Sequence, residues 1–124
     1  MQAIRREDLP FVGSSYQFAG VDQGDVGVSF YLVEASPGRG APLHRHKYDE
    51  ILFVQEGRGR AVVGEETRDT VAGDIVVVKA GTPHGFVNIG DSALKQLDIH
   101  VSPEFEQENL KPTEVSLRAG LPVA

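Results

Sequence analysis

The chain has 124 residues, carries 12 Lys and Arg against 18 Asp and Glu for a net charge of −6, and contains no cysteine. That length suits one domain with a real core and no covalent staples. The composition excludes disulfides and thiolate chemistry, and the negative field repels phosphate backbones, so nucleic acid is not an expected partner.

The first ten residues, MQAIRREDLP, are charged and lead into no apolar stretch, unlike a signal peptide. The apolar runs FYLV, ILFV and IVVV are far too short to span a bilayer, so a soluble, cytoplasmic protein without membrane contact is expected. The first clear strand is read over 26–35, followed by a turn at ASPGRGAP and two extended segments, APLHRH and EILFVQ. The stretch 56–71 reads as a hairpin turning at GEE, and GDIVVVKAG and TPHGFVN as further strands. After a turn at IGDSA comes a last strand, LKQLDIHVS, and then PEFEQENLK, with at most a weak helical period. Turn signals every eight to twelve residues predict an all-β sandwich or barrel in one domain over 1–124, with 102–124 as a C-terminal tail.

The runs 51–54 and 75–78 are apolar on both faces. One face can fill a barrel interior, and the other must meet a second sheet, a tail or another subunit, so a homodimer is expected. On the last strand, alternation puts Gln96, Asp98 and His100 on one face and Lys95, Leu97, Ile99 and Val101 on the other. Whether the polar face meets a pocket or water stays open from sequence.

Two of the four histidines, His44 and His46, stand two residues apart, and Glu50 follows four residues later. In a strand, residues i and i+2 share a face, so the two imidazoles project together, and Glu50 joins them if the strand resumes in phase. A helix could instead align His46 with Glu50, but Pro42 and the β-rich EILFV favour the strand. An isolated histidine in a β-protein is most often a surface or satisfied core residue. A paired set with a carboxylate fits a borderline metal ion, and His84, after the turn at AGTP, is the fourth candidate.

The frame around these residues is specific. Gly38, five residues, His44, one residue, His46, three residues, Glu50, six residues and Gly57 resemble the first motif of the cupin superfamily. Gly73, five residues, Lys79, one residue, Gly81, two residues, His84, three residues and Asn88 resemble the second, with Lys79 where the family usually has proline. Fifteen residues separate the motifs, as in small single-domain bacterial cupins. The resemblance implies a cupin-type double-stranded β-helix, a jelly-roll barrel. It also implies one divalent ion (Fe, Mn, Ni, Zn or Cu) held by His44, His46, Glu50 and His84.

Four protein ligands leave positions open for water, dioxygen or substrate. The first functional expectation is therefore a metal-dependent enzyme acting on a small organic molecule, with dioxygenase-like chemistry favoured and isomerase or decarboxylase chemistry as alternatives. Glu50 and His100 are its candidate catalytic residues, and Asp98 is a further candidate base or supporting partner. The second expectation is a non-catalytic ligand-binding or sensor cupin. Tyr31, Tyr48, Phe53 and Phe86 are expected in the core or pocket wall, and Lys79 in a solvated loop.

Overall fold

The computed structural model describes residues 1–124, and its elements follow the alternating pattern closely. A short 3₁₀ turn at Arg6–Asp8 leads into β1 (Phe11–Val12) and β2 (Ser15–Phe18). Then come β3 (Ser29–Ala35), β4 (Gly40–Arg45), β5 (Glu50–Glu56), β6 (Arg58–Val63) and β7 (Glu66–Val71). The chain continues through β8 (Ile75–Val78), β9 (His84–Asn88), β10 (Leu94–His100), β11 (Glu108–Asn109) and α1 (Glu114–Ala119). The strands expected from sequence are β3 to β10; the β1–β2 hairpin, β11 and α1 are additions to that pattern. No helix is long and apolar enough to cross a membrane.

The strands form two antiparallel sheets, one ordered β1-β2-β3-β10-β5-β8 and the other β11-β4-β9-β6-β7. Successive strands β4 to β5 and β8 to β9 cross from one sheet to the other, the jelly-roll way of limiting free edges. Between the sheets, Val33, Ala35, Val54, Phe86 and Leu94 make one apolar cluster. At the tight turns glycine is required by conformation. Gly57 has φ 86°, and a Cβ there would lie 2.6 Å from the Ala93 carbonyl oxygen.

The outer faces of the sheets differ. Leu43, Val62 and Val87 of the five-stranded sheet pack against Ala119 and Leu121. Those two residues belong to the end of α1 and the segment after it. The helix starts at a Thr113–Ser116 capping box and stops at Gly120, whose φ is 83°. On the six-stranded sheet, residues that alternate away from the core line up in two apolar rows across the strands. One row reads Phe11, Tyr16, Leu32, Leu97, Phe53, Ile75 in direct register. The other reads Phe18, Phe30, Ile99, Ile51, Val77. Ile75 and Val77 are 64% and 59% exposed, and Phe11 is 52% exposed.

The segment after β10 departs from the weak helical expectation. It is irregular up to β11, which pairs with β4. Phe105 stacks on the Tyr31 ring at 4.5 Å and meets His100 edge-on at 5.1 Å. That aromatic anchoring, together with pairing to β4, holds the chain extended against a weak local preference.

Candidate metal centre

His44 lies on β4 and His84 on β9, and the two are direct cross-strand partners. His46 follows β4 by one residue, and residues 46–49 turn the chain out of that sheet. Glu50 therefore begins β5 in the opposite sheet, where it pairs with Val78 and His100. The two extended segments expected here are β4 and β5, which lie in different sheets, so the ligands arrive from both sheets and meet in the barrel interior. All four are buried, and their donor atoms lie within 4.8 Å of one another.

Backbone carbonyls orient the imidazoles. The Nδ1–H groups of His44, His46 and His84 face the carbonyl oxygens of Pro42 (2.7 Å), Glu106 (2.5 Å) and Thr82 (2.9 Å). That pattern leaves Nε2 as the donor atom on each ring and fixes its direction, as supporting contacts do at metal sites. His84 Nε2 is 2.7 Å from Glu50 Oε1. His46 Nε2 is 3.1 Å from the same oxygen, yet off the hydrogen-bonding direction and without a partner. A buried nitrogen left unpaired costs about 1–3 kcal/mol. A divalent ion among these donors removes that cost, and three neutral imidazoles with one carboxylate suit a borderline ion. The cluster thus fits a single divalent metal.

Electrostatics follow from burial. Burial and the neighbouring His84 push the His44 imidazole down to about 4, so it stays neutral. Burial lowers His46 as well, but Glu50 and the Glu106 carbonyl outweigh it and raise the pKa. Burial alone would raise Glu50; His100, His46 and His84 reverse this and hold its carboxyl below the usual range.

The alternation left open in β10 resolves with the polar face inward. Gln96, Asp98 and His100 are all buried, while Leu97 and Ile99 lie on the outer face. His100 Nε2 sits 3.2 Å from Glu50 Oε2 without a hydrogen-bond partner, and its Nδ1 is 2.7 Å from the Tyr48 hydroxyl. Asp98 accepts from Gln96 Nε2 at 2.8 Å; burial and the nearby Glu50 raise its pKa well above the ordinary value.

A cavity of ≈ 380 Å³ reaches the cluster and is lined by His44, Glu50, His84 and Asp98 among others. Tyr31 and Phe86 form part of its wall, whereas Tyr48 packs on His46 and Phe53 lies on the outer face. The β1–β2 hairpin supplies Ser15 and Gln17 to the lining. Sequence reasoning missed these two, although SSYQF alternates in the strand manner. Lys79 is exposed and pairs with Asp49 at 3.1 Å, away from the cavity, as expected for a loop residue.

The chain is similar to a family of domains, to whole or partial sequences of other proteins, and in fold to a solved structure. Residues 31–100 match the family described as Cupin domain. The uncharacterised protein SCO3923 of Streptomyces coelicolor is 33% identical over 109 residues, covering 84% of this chain and 99% of that protein. The HTH-type transcriptional activator RhaS of Mannheimia succiniciproducens is 28% identical over 68 residues, 55% of this chain and 25% of that protein. A structure of Bacillus subtilis oxalate decarboxylase, whose Mn(II) centres it concerns, superposes with a TM-score of 0.75 at 25% identity. The match covers 84% of this chain and 30% of that one, so the chain spans about a third of the decarboxylase's length. With the two motifs, the two-sheet barrel and the buried three-histidine, one-glutamate cluster agreeing, the chain belongs to the cupin family.

Proposed function

We propose that the protein is a metal-dependent enzyme acting on a small organic molecule, with oxygenase chemistry favoured. The observation that carries this reading is that His44, Glu50 and His84 line an open cavity. A purely structural ion is closed off by its protein ligands, whereas a catalytic one keeps a position open. A bound divalent ion supplies Lewis acidity and a coordination position for water, dioxygen or substrate. The chain supplies the rest. Backbone carbonyls hold the three rings, and Glu50 offsets part of the ion's charge. His100, beside Glu50, is the proposed catalytic partner, and Asp98 presents a carboxyl to the cavity. The likeness to part of a transcriptional activator supports a second reading, a domain that binds a small ligand without turning it over. A cytoplasmic setting belongs to the first proposal.

The test is to load the chain with iron, manganese, nickel, copper or zinc and to screen oxygen uptake and carbon dioxide release. Glu50→Gln should weaken metal binding and abolish turnover together. His100→Ala should keep the metal and slow turnover by roughly 10²-fold if it moves a proton. Turnover with none of the five metals would favour the ligand-binding reading.

A homodimer joined through the outer face of the six-stranded sheet is part of the same proposal. Strands about 4.8 Å apart carrying rows of six and five residues make an apolar strip of roughly 400 Å² in plan, a size that marks interaction sites on many monomers. A standard interface takes about 800 Å² from each partner, and charged rows beside the strip extend it. Those charges are already balanced within the chain. Arg6 pairs with Glu34 at 3.1 Å, Lys95 with Glu56 at 3.6 Å, and Lys79 with Asp49. An apolar centre inside a self-neutral rim suits a second copy of itself, packed sheet on sheet, and the net charge of −6 disfavours an anionic membrane.

A further inference from the structure

We infer that the cavity takes an uncharged or singly charged molecule whose carbonyl or hydroxyl oxygen sits beside an apolar body, and that it discriminates against dicarboxylates. This inference rests on the metal-enzyme reading and names its substrate class.

The first observation is the charge inventory. The cavity wall carries two carboxyl side chains, Glu50 and Asp98, and no lysine or arginine. Among the cations nearest in sequence to its lining, Arg45 is engaged outside it with Glu108 at 2.7 Å, and Arg39 and Lys47 do not line it. Sites that take carboxylates characteristically offer a guanidinium fork or an ammonium. Without one, a dianion entering this space has only the ion's charge to offset it, and Glu50 already draws on that. A buried charge without compensation is strongly unfavourable.

The second observation is a line of hydrogen-bonding groups across three neighbouring strands. Gln17 on β2 faces Tyr31 on β3, and Tyr31 faces Asp98 on β10, each in direct register. Side chains opposed in this way lie about 5 Å apart, close enough to address one ligand together. All three line the cavity. Burial pushes the Tyr31 hydroxyl up to about 12, and burial with the nearby Glu50 raises the Asp98 carboxyl. Tyr31 thus keeps a proton to donate at neutral pH, and Asp98 stands beside it as a polar partner. Val33, Leu52 and Phe86 supply apolar wall in the same space. The cavity of ≈ 380 Å³ corresponds to roughly a dozen water volumes.

The test uses two probes of one skeleton that differ in charge, 2,4-pentanedione and malonate, titrated calorimetrically into the manganese-loaded full chain with metal content measured throughout. Pentanedione should bind about tenfold more tightly or better. Gln17→Arg, at the half-exposed outer end of the line, should shift the ratio toward malonate by about tenfold. Asp98→Leu should weaken pentanedione by about tenfold, and Asp98→Asn, which keeps a hydrogen-bonding group there, should restore it. A loaded chain that binds malonate as tightly as pentanedione, binds neither probe, or keeps its ratio in Gln17→Arg overturns this inference alone. A chain that takes up no metal overturns the metal-enzyme reading and this inference with it.

Discussion

On the five-stranded sheet, Leu43, Val62 and Val87 point outward and are buried, because Ala119 and Leu121 from the chain's own end lie over them. On the six-stranded sheet, Ile99, Leu97, Ile51 and Phe53 also point outward, but they stay half-exposed, and Ile75 and Val77 beside them are open to solvent. The two faces obey the same physics with different partners. A sheet inside a two-layer barrel has a second apolar face only if something covers it. Here the chain end covers one, and the bare rows of the other are proposed to meet a second copy. Within the bare sheet one strand reverses the usual pattern: β10, whose outer face carries Leu97 and Ile99, turns Gln96, Asp98 and His100 inward beside the apolar cluster. That inversion of the usual pattern marks where the site is.

Three changes probe this contrast, in falling order of effect. Ile99→Glu plants two unpaired carboxylates in a symmetric interface. It should raise the dimer dissociation constant by 10³-fold or more, about 4 kcal/mol, while a single chain keeps its melting behaviour. Sedimentation at several concentrations checks this, and a chain monomeric before the change removes the proposed difference between the faces. Leu121→Ala opens a cavity under the covered face and should cost about 2–5 kcal/mol in denaturant midpoints. The same truncation at Val77 should cost a single chain little.

Acid should act on the interior and not on the bare rows, which contain no group titrating near neutrality. His44 has a folded pKa depressed from 6.5 to about 4, so its contribution is fully present above pH 6.5. It is lost as pH falls toward 4, a loss of roughly 3 kcal/mol in the metal-free chain. Glu50, also depressed, adds a loss of the same sign at lower pH, and the raised His46 works in the opposite sense and offsets part of the His44 loss. Unfolding curves of metal-free protein at pH 7 and pH 4.5 give the measurement. A curve that does not move contradicts the predicted net loss from the depressed His44.

Much of this was legible in the sequence. Strands β3 to β10 alternate or run apolar between glycine and proline turns, and the four ligand positions stood at motif spacing. The β1–β2 hairpin was not read because Ser15–Phe18 is four residues with mixed polarity. The helix is hard to read from sequence because six residues carry no period, although Thr113 and Ser116 are its start signals and Gly120 its stop. Spacing alone placed Glu50 with the histidines but not on the opposite sheet, because the turn at 46–49 that sends it there has no strong signature. Nor did alternation tell which face of β10 is inside, since this strand hides its polar side.

The central claim is that His44, His46, Glu50 and His84 hold one divalent ion. The most direct measurement is elemental analysis of the full chain after incubation with manganese or zinc and removal of excess, beside a His46→Ala, Glu50→Gln double variant. One ion per chain in the first and under a tenth in the second, with both folded by circular dichroism, is the predicted result. Equal metal in both, or none in the first, would contradict it.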